Sequence, residues 1–426
     1  MAAEHFKDFQ MANACGVDFG TSNSTVGWSR PGCAPLLALE DGKPTLPSVV
    51  FYNADENAAY FGRAALANYL AGNEGRLMRS LKSLLGTSLI DGQTEVMGHA
   101  LPFRSLLAQF QAELKRRAEL AAGRGFDSAV IGRPVHFVDG DPAADRVAED
   151  TLAEIAHSVG YRHIDFQYEP IAAAFDYEST IGAEELVLVA DIGGGTSDFS
   201  LVRLSPARAT AVERRDDILA AAGVHIGGTD FDKYLSLSAA MPLLGMGSQL
   251  KNGSDVPSSY FFNLATWHTI NLAYTQKTWT QLQGVLQDAV RREELERLLD
   301  LVRQRAGHWL AICIEEGKIA LSTEQQVALP LERLSGAPTL QLSQHGFNHA
   351  VDHLVERIED TVTDLLRDAG VDRAAVDTVF ITGGASGMPV LRDRISAVLP
   401  AARRVEGDLF GSIGAGLALD AARKFG

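Results

Sequence analysis

The chain has 426 residues, 46% of them hydrophobic, which is enough for large buried cores and more than one core usually serves; two lobes are expected. A net charge of −16 with no Lys/Arg block argues against nucleic acid or an anionic membrane surface as a partner. Three cysteines (Cys15, Cys33, Cys313) form no disulfide framework, the N-terminus MAAEHFKDFQMANA has no apolar h-region, and no stretch reaches membrane-span length, so a cytoplasmic protein is expected.

In chain order, ACGVDFGTSNSTVGW (14–28) reads as a strand closed by Asp18, a turn of Gly20, Thr21, Ser22 and Asn23, and a second strand. Residues about 40–120 look like an insertion, with the turn and strand GKPTLPSVVFY and an exposed-looking helix around LMRSLKSLLG. Helical patterning over 106–121 then precedes a strand at 128–134, and a helix over 145–160 precedes a strand at 163–170. VLVADIGGGTSDFSLVRL (187–204) repeats the opening theme: an apolar run to Asp191, the turn Gly193-Gly194-Gly195-Thr196, and a return strand carrying Asp198. A second, mostly helical insertion spans about 233–344. The spacing of Phe347, Val351, Leu354, Ile358 and Leu365 predicts a helix over 347–370, followed by a strand at 378–384. A hairpin recurring once per half, amid alternating strands and helices, implies duplicated α/β lobes.

Two side features have competing readings. Tyr260, Phe261, Phe262, Trp267, Tyr274 and Trp279 crowd into residues 258–279, as core of the second insertion or as a docking surface for a protein partner. His345, His349 and His353 recur at helical spacing beside Asp352; a helix beginning at Gly346 excludes His345 and makes the other two surface residues rather than metal ligands.

The hairpins carry the chemistry. A glycine tip turns backbone N–H groups into one concavity and Thr or Ser hydroxyls add donors, which makes a phosphate cradle. Carboxylates at the strand ends repel phosphate unless a divalent cation, typically Mg²⁺ retaining most of its waters, sits between. Two such cradles would clamp a polyphosphate from both sides. No GxxxxGK[ST] is present, nor a GxGxxG opening a helix.

These residues resemble the ATPase domain of the heat-shock protein 70 family (DnaK-type chaperones), within the actin–hexokinase–heat-shock superfamily. GVDFGTSNS resembles the first phosphate motif, DIGGGTSDFS the second, YEPIAAAFDYE (168–178) the connection between lobes, and HIGGTDFDKYL (225–235) the segment after the second hairpin. VFITGGASGMP (379–389) resembles the adenosine motif and GDLFGSIGAGLAL (407–419) the closing helix; the motifs keep family order over nearly the whole chain. The resemblance implies an α/β actin-like ATPase fold. Lobe I would span 1–186, lobe II 187–405, and a C-terminal helix, 406–426, would return to lobe I. Because the chain ends at LDAARKFG, without the family's peptide-gripping β-sandwich, it is most similar to short YegD-type members.

Carried over by residue, the resemblance implies ATP/ADP and Mg²⁺ as ligands. Asp18, Asp191 and Glu169 would hold the metal, mainly through water, with Asp198 nearby. Gly20, Thr21, Ser22 and Asn23 would grip phosphate from lobe I, and Gly193, Gly194, Gly195 and Thr196 from lobe II. Lys82 would face the γ-phosphate and the attacking water, completing a catalytic set of Lys82, Glu169, Asp191, Thr196 and Asp18. Glu315, Lys318 and Ser322, with Gly228, Gly383, Gly384 and Asp408, would contact ribose and adenine. Ile319 and Gly387 stand where the family places the arginines that sandwich adenine, and Ala385 replaces a serine, so the base half of the site is weaker than the phosphate half. Pro134 and Arg146 resemble the family's relay from nucleotide to lobe surface, across the altered stretch HFVDGDPAAD.

The function implied is a Mg²⁺-dependent ATP-binding protein with slow ATPase activity and no attached peptide clamp. One alternative is a sugar or small-metabolite kinase on the same fold, for which no separate base motif is found. Another is a nucleotide sensor or scaffold that binds and scarcely hydrolyses.

Overall fold

Both glycine-tipped segments fold as β-hairpins, and each forms the middle of a five-stranded sheet. The structure, a computed structural model, describes residues 13–138, 140–209, 211–408 and 411–426; the N-terminal stretch 1–12 and residues 409–410 of the closing motif lie outside the described residues. In the first sheet, Ala14–Phe19 pairs antiparallel with Asn23–Gly27, which pairs with Thr45–Pro47. On its other side Ala14–Phe19 runs parallel to Ser128–Arg133, and that strand parallel to His163–Tyr168. The second sheet repeats the plan. Glu185–Ile192 pairs antiparallel with Ser197–Leu204, which pairs with Ile218–Val224; on the other side follow Thr378–Thr382 and Arg403–Glu406, both parallel.

Register carries the duplication to single residues. Asp18 lies opposite Thr25 in the first hairpin, and Asp191 lies opposite Asp198 in the second. Central strands of both sheets are buried on both faces, which is why VLVA and AVIG read as continuous apolar runs rather than alternating ones. Each sheet sends its last parallel strand toward a helix: His163–Tyr168 leads into Glu169–Glu178, and Arg403–Glu406 precedes Ser412–Phe425. These two helices pack on each other, and the C-terminal one also covers Ala14–Phe19. Glu169 therefore sits at a helix start, beside Pro170.

Several local expectations need correction. The stretch LMRSLKSLLG is not a helix: Gly75–Arg79 is a strand paired with Val49–Asn53, and only Leu81–Leu84 makes a short 3₁₀ turn. Leu77, Leu81 and Leu85, all buried, mimic a helical stripe, but pairing of Phe51 with Leu77 wins and Ser80, at φ 55°, turns the chain. The helix expected from Gly346 begins at Gln344, with Ser343 accepting from the Gly346 N–H; it includes His345. All three histidines are exposed, and the His353 ring stands edge-on to Tyr234 at 4.5 Å.

The aromatic segment divides. Tyr260 and Phe261 are core, whereas Phe262 is 44% exposed. Trp267 does neither job alone: it reaches the first insertion, packing with Phe51, Ala65 and Leu77, with the Arg79 guanidinium 4.1 Å from its ring. Further contacts join the two insertions over the cleft. Tyr69 Oη lies 2.7 Å from His308 Nδ1, Arg333 donates to the Leu70 carbonyl (2.6 Å), and Arg79 pairs with Glu315 (3.3 Å).

Candidate active site in the interlobe cleft

Where the hairpin tips meet, they open a cleft of about 570 Å³. The contact is close: a Cβ on Gly194 would collide with Ser22 Oγ and displace that hydroxyl from the tip. From lobe I the cleft is lined by Asp18, Gly20, Thr21, Ser22, Asn23, Lys82 and Glu169. Lobe II contributes Asp191, Gly193, Gly194, Thr196, Asp198, Gly228, Gly383, Gly384 and Asp408, and its insertion Glu315, Lys318 and Ser322. Gly195 is the exception among the expected site residues; it does not line the cleft but lies in the tip against Thr21 and beneath Gly227. Gly383, at φ 89°, brings the strand end so close to the Asp191 carboxylate that no side chain fits there.

The electrostatics of the tips are strained. Asp18, Glu169, Asp191 and Asp198 share the space with one ammonium, Lys82, which pairs with Glu169 at 2.5 Å. Burial and the neighbouring Glu169 push the Asp18 carboxyl up to about 7. Burial, then the charges of Glu169, Asp198 and Asp18, raise Asp191 well above the ordinary carboxylate range. Burial opposes the charge on Lys82, but Glu169, Asp18 and Asp198 together outweigh it and hold its pKa above the usual lysine value. Such a cluster of hard oxygen donors, short of positive charge, fits a divalent cation of the Mg²⁺ type. Among the described residues no three His, Cys, Asp or Glu side chains close on a common point. Thr196 Oγ1 donates to Asp198 Oδ2 (2.8 Å), fixing that hydroxyl at the tip.

Away from the tips the cleft is made of side chains. On the helix Gly307–Ala320, Lys318 pairs with Asp232 (2.8 Å) and donates to the Gly228 carbonyl (3.1 Å), tying the insertion to the turn behind the second tip. Burial raises the Asp232 carboxyl to about 6 despite Lys318. Glu315 is held below its usual value because Arg79 and Lys318 outweigh its burial. Ile319 is 60% exposed on the same wall, facing the side of Gly387, Met388, Arg392, Glu406 and Ile413. Arg392 pairs with Glu406 at 2.9 Å.

Sequence reasoning missed Arg79, Thr229, Asp232, Thr382 and Arg392. Asp232 had a signal, since it follows Gly228 by one helical turn in GTDFDKYL; Arg79 had none, because its partner Glu315 is 236 residues away, and Arg392 pairs with Glu406 at the end of the next strand. Arg146 lines a separate cavity of about 870 Å³ together with Arg133, whose Nε donates to the Pro134 carbonyl (3.0 Å); Pro134 itself is not part of the lining.

A family model described as "Hsp70 protein" matches residues 14–105, 91–240 and 286–421. The chain belongs to the Hsp70 family. With its duplicated sheets around a cleft, this Hsp70-family chain has the actin-like fold. It is 27% identical over 429 residues to chaperone protein HscA of Citrobacter koseri, covering 96% of this chain and 58% of the relative. It is 28% identical to chaperone protein DnaK of Mycoplasmoides gallisepticum (90% and 55% covered) and 29% identical to a chaperone protein HscA homolog of Burkholderia thailandensis (90% and 54%). The chain thus spans somewhat over half the length of these curated relatives. Residues 241–285, which supply Trp267, fall outside the family match. No helix among the described residues is long and apolar enough to cross a membrane.

Proposed function

We propose that this Hsp70-family chain binds ATP with Mg²⁺ between its lobes and hydrolyses it slowly, as a nucleotide switch of the YegD-like kind. One observation carries the reading: two glycine tips in contact, backed by four carboxylates and one lysine. Gly20 to Asn23 and Gly193 to Thr196 would grip the phosphates with backbone N–H groups and hydroxyls. Asp18, Asp191 and Glu169 would hold Mg²⁺ through its waters, and bound there it would neutralise charge on the phosphate oxygens. Lys82 supplies a compact positive charge beside the transferred group, and Glu169 orients both the lysine and the attacking water. Glu315, Lys318, Ser322 and Asp408 would take the nucleoside.

Closure follows from differential affinity, since a ligand held by both tips favours the state in which they meet. A chaperone role with a protein partner on the second insertion belongs to the same proposal; exposed Phe262 and Leu272 (44% and 52%) support it. Three free thiols suit a reducing compartment such as the cytoplasm. The Lys82–Glu169 pair favours a second reading: if that lysine stays bound to Glu169 when nucleotide is present, the chain is a sensor that scarcely hydrolyses.

Single-turnover hydrolysis of ATP with and without Mg²⁺ tests both. The switch reading expects Mg²⁺-dependent hydrolysis that falls by about 10²-fold or more in Lys82→Ala and Asp191→Ala. Tight binding with rates equal in all three proteins supports the sensor.

A further inference from the structure

The cleft end remote from the hairpin tips has a composition that bears on which base it takes. Three apolar side chains, Ile319, Met388 and Ile413, line it and give a flat ring surfaces to lie against. Arg392, Glu406 and Asp408 are charged groups of this end; Glu315 and Lys318, on the helix that carries Ile319, are already paired with Arg79 and Asp232. Arg392 projects from the first turns of the helix Pro389–Val398, and Glu406 ends the neighbouring strand Arg403–Glu406. Their 2.9 Å ion pair, backed by Arg404 on the other Glu406 oxygen (3.4 Å), fixes a donor fork beside an acceptor at the rim.

Adenine and guanine ask for different partners. Adenine presents a donor, N6–H, flanked by acceptors, a pattern met by the side-chain amide of Asn or Gln. Guanine presents two adjacent acceptors, O6 and N7, met by a guanidinium fork, and donors at N1 and N2 that carboxylates accept. No Asn or Gln lines this end; Asn23, the single amide side chain of the cleft, belongs to the first tip. Ser322 and Thr323 hydroxyls serve either base.

We propose that Arg392, braced by Glu406, reads the base, and that the cleft admits guanine nucleotides at least on a par with adenine nucleotides. The inference rests on the cleft being a nucleotide site, and its test separates the two claims. Calorimetric titration of the full chain with ATP and with GTP, each with Mg²⁺, is expected to give dissociation constants within tenfold of one another or in favour of GTP. Arg392→Ala is expected to weaken GTP by about tenfold or more while changing ATP by less than about threefold. Arg392→Gln supplies an amide in place of the fork and is expected to move the preference toward ATP. A wild-type preference for ATP above tenfold, or equal losses for both nucleotides in the variants, overturns the role of Arg392 and leaves the nucleotide site standing. Absence of binding by either nucleotide overturns the site itself and this inference with it.

Discussion

At the hairpin tips the cleft is built by backbone: glycines let two chain reversals touch, and Asp18, Asp191 and Asp198 sit near strand ends whose register is fixed by the sheets. Its roof is built by side chains instead. Arg79 from one insertion lies between the Trp267 ring and Glu315 of the other, and Tyr69 meets His308. Such a site tolerates little change at Gly20 and Gly194, where a single added methyl would meet the Asn23 carbonyl or the Ser22 side chain. A side-chain roof is adjustable, and its strength depends on charge state and on single contacts worth about 1 kcal/mol each. The difference teaches where to expect fixed chemistry and where to expect tuning.

The largest effect that separates the regions is expected from pH. Burial, with Arg79 nearby, lowers the His308 pKa to about 4. The folded state keeps this ring neutral while the unfolded chain protonates it near 6.5, so its contribution is complete above pH 6.5 and is lost as pH falls toward 4. Between pH 6.5 and 5 this amounts to about 2 kcal/mol. Denaturant titrations across that window should show the loss in the native protein and a flatter profile in His308→Phe; parallel profiles would remove the histidine from the roof's energetics.

Next comes a break at the tips. Gly194→Ala forces the reversals apart and is expected to weaken ATP binding about tenfold, read by calorimetry, with little change in global stability. Unchanged affinity would mean that the tips need not touch to hold the ligand. The smallest effect is expected at the roof: Arg79→Met keeps the stem and removes the charge. Nucleotide release should accelerate roughly fivefold, the loss of about 1 kcal/mol of stacking and pairing. Stopped-flow displacement of a fluorescent ATP analogue measures it, and an unaltered rate would show that the roof does not restrain the ligand.

Legibility in the sequence follows the same divide. The tips could be read because a backbone cradle is written locally, as Asp18 before GTSN and Asp191 before GGGT. The helix Gln344–Asp368 was equally plain from its apolar period, though it begins three residues before and ends two residues before the expected 347–370. Lys82 was found by resemblance, while its setting was misjudged: leucines spaced like a helix stripe are drawn into a strand by pairing with Val49–Asn53. Arg79 and Glu315 lie 236 residues apart, and nothing near either one announces the other. Arg392 and Glu406 meet because the helix Pro389–Val398 folds back against the end of the strand that follows it, a pairing that no short motif encodes.

Trp267 offers a use beyond holding the roof. Its indole lies against the guanidinium of a residue from the opposite lobe, so any parting of the two insertions changes the polarity and the quenching groups around the ring. The chain has four tryptophans, so with Trp28, Trp279 and Trp309 replaced by Phe the emission of this one ring becomes an internal optical gauge of opening. The molecule can thus be watched without a label.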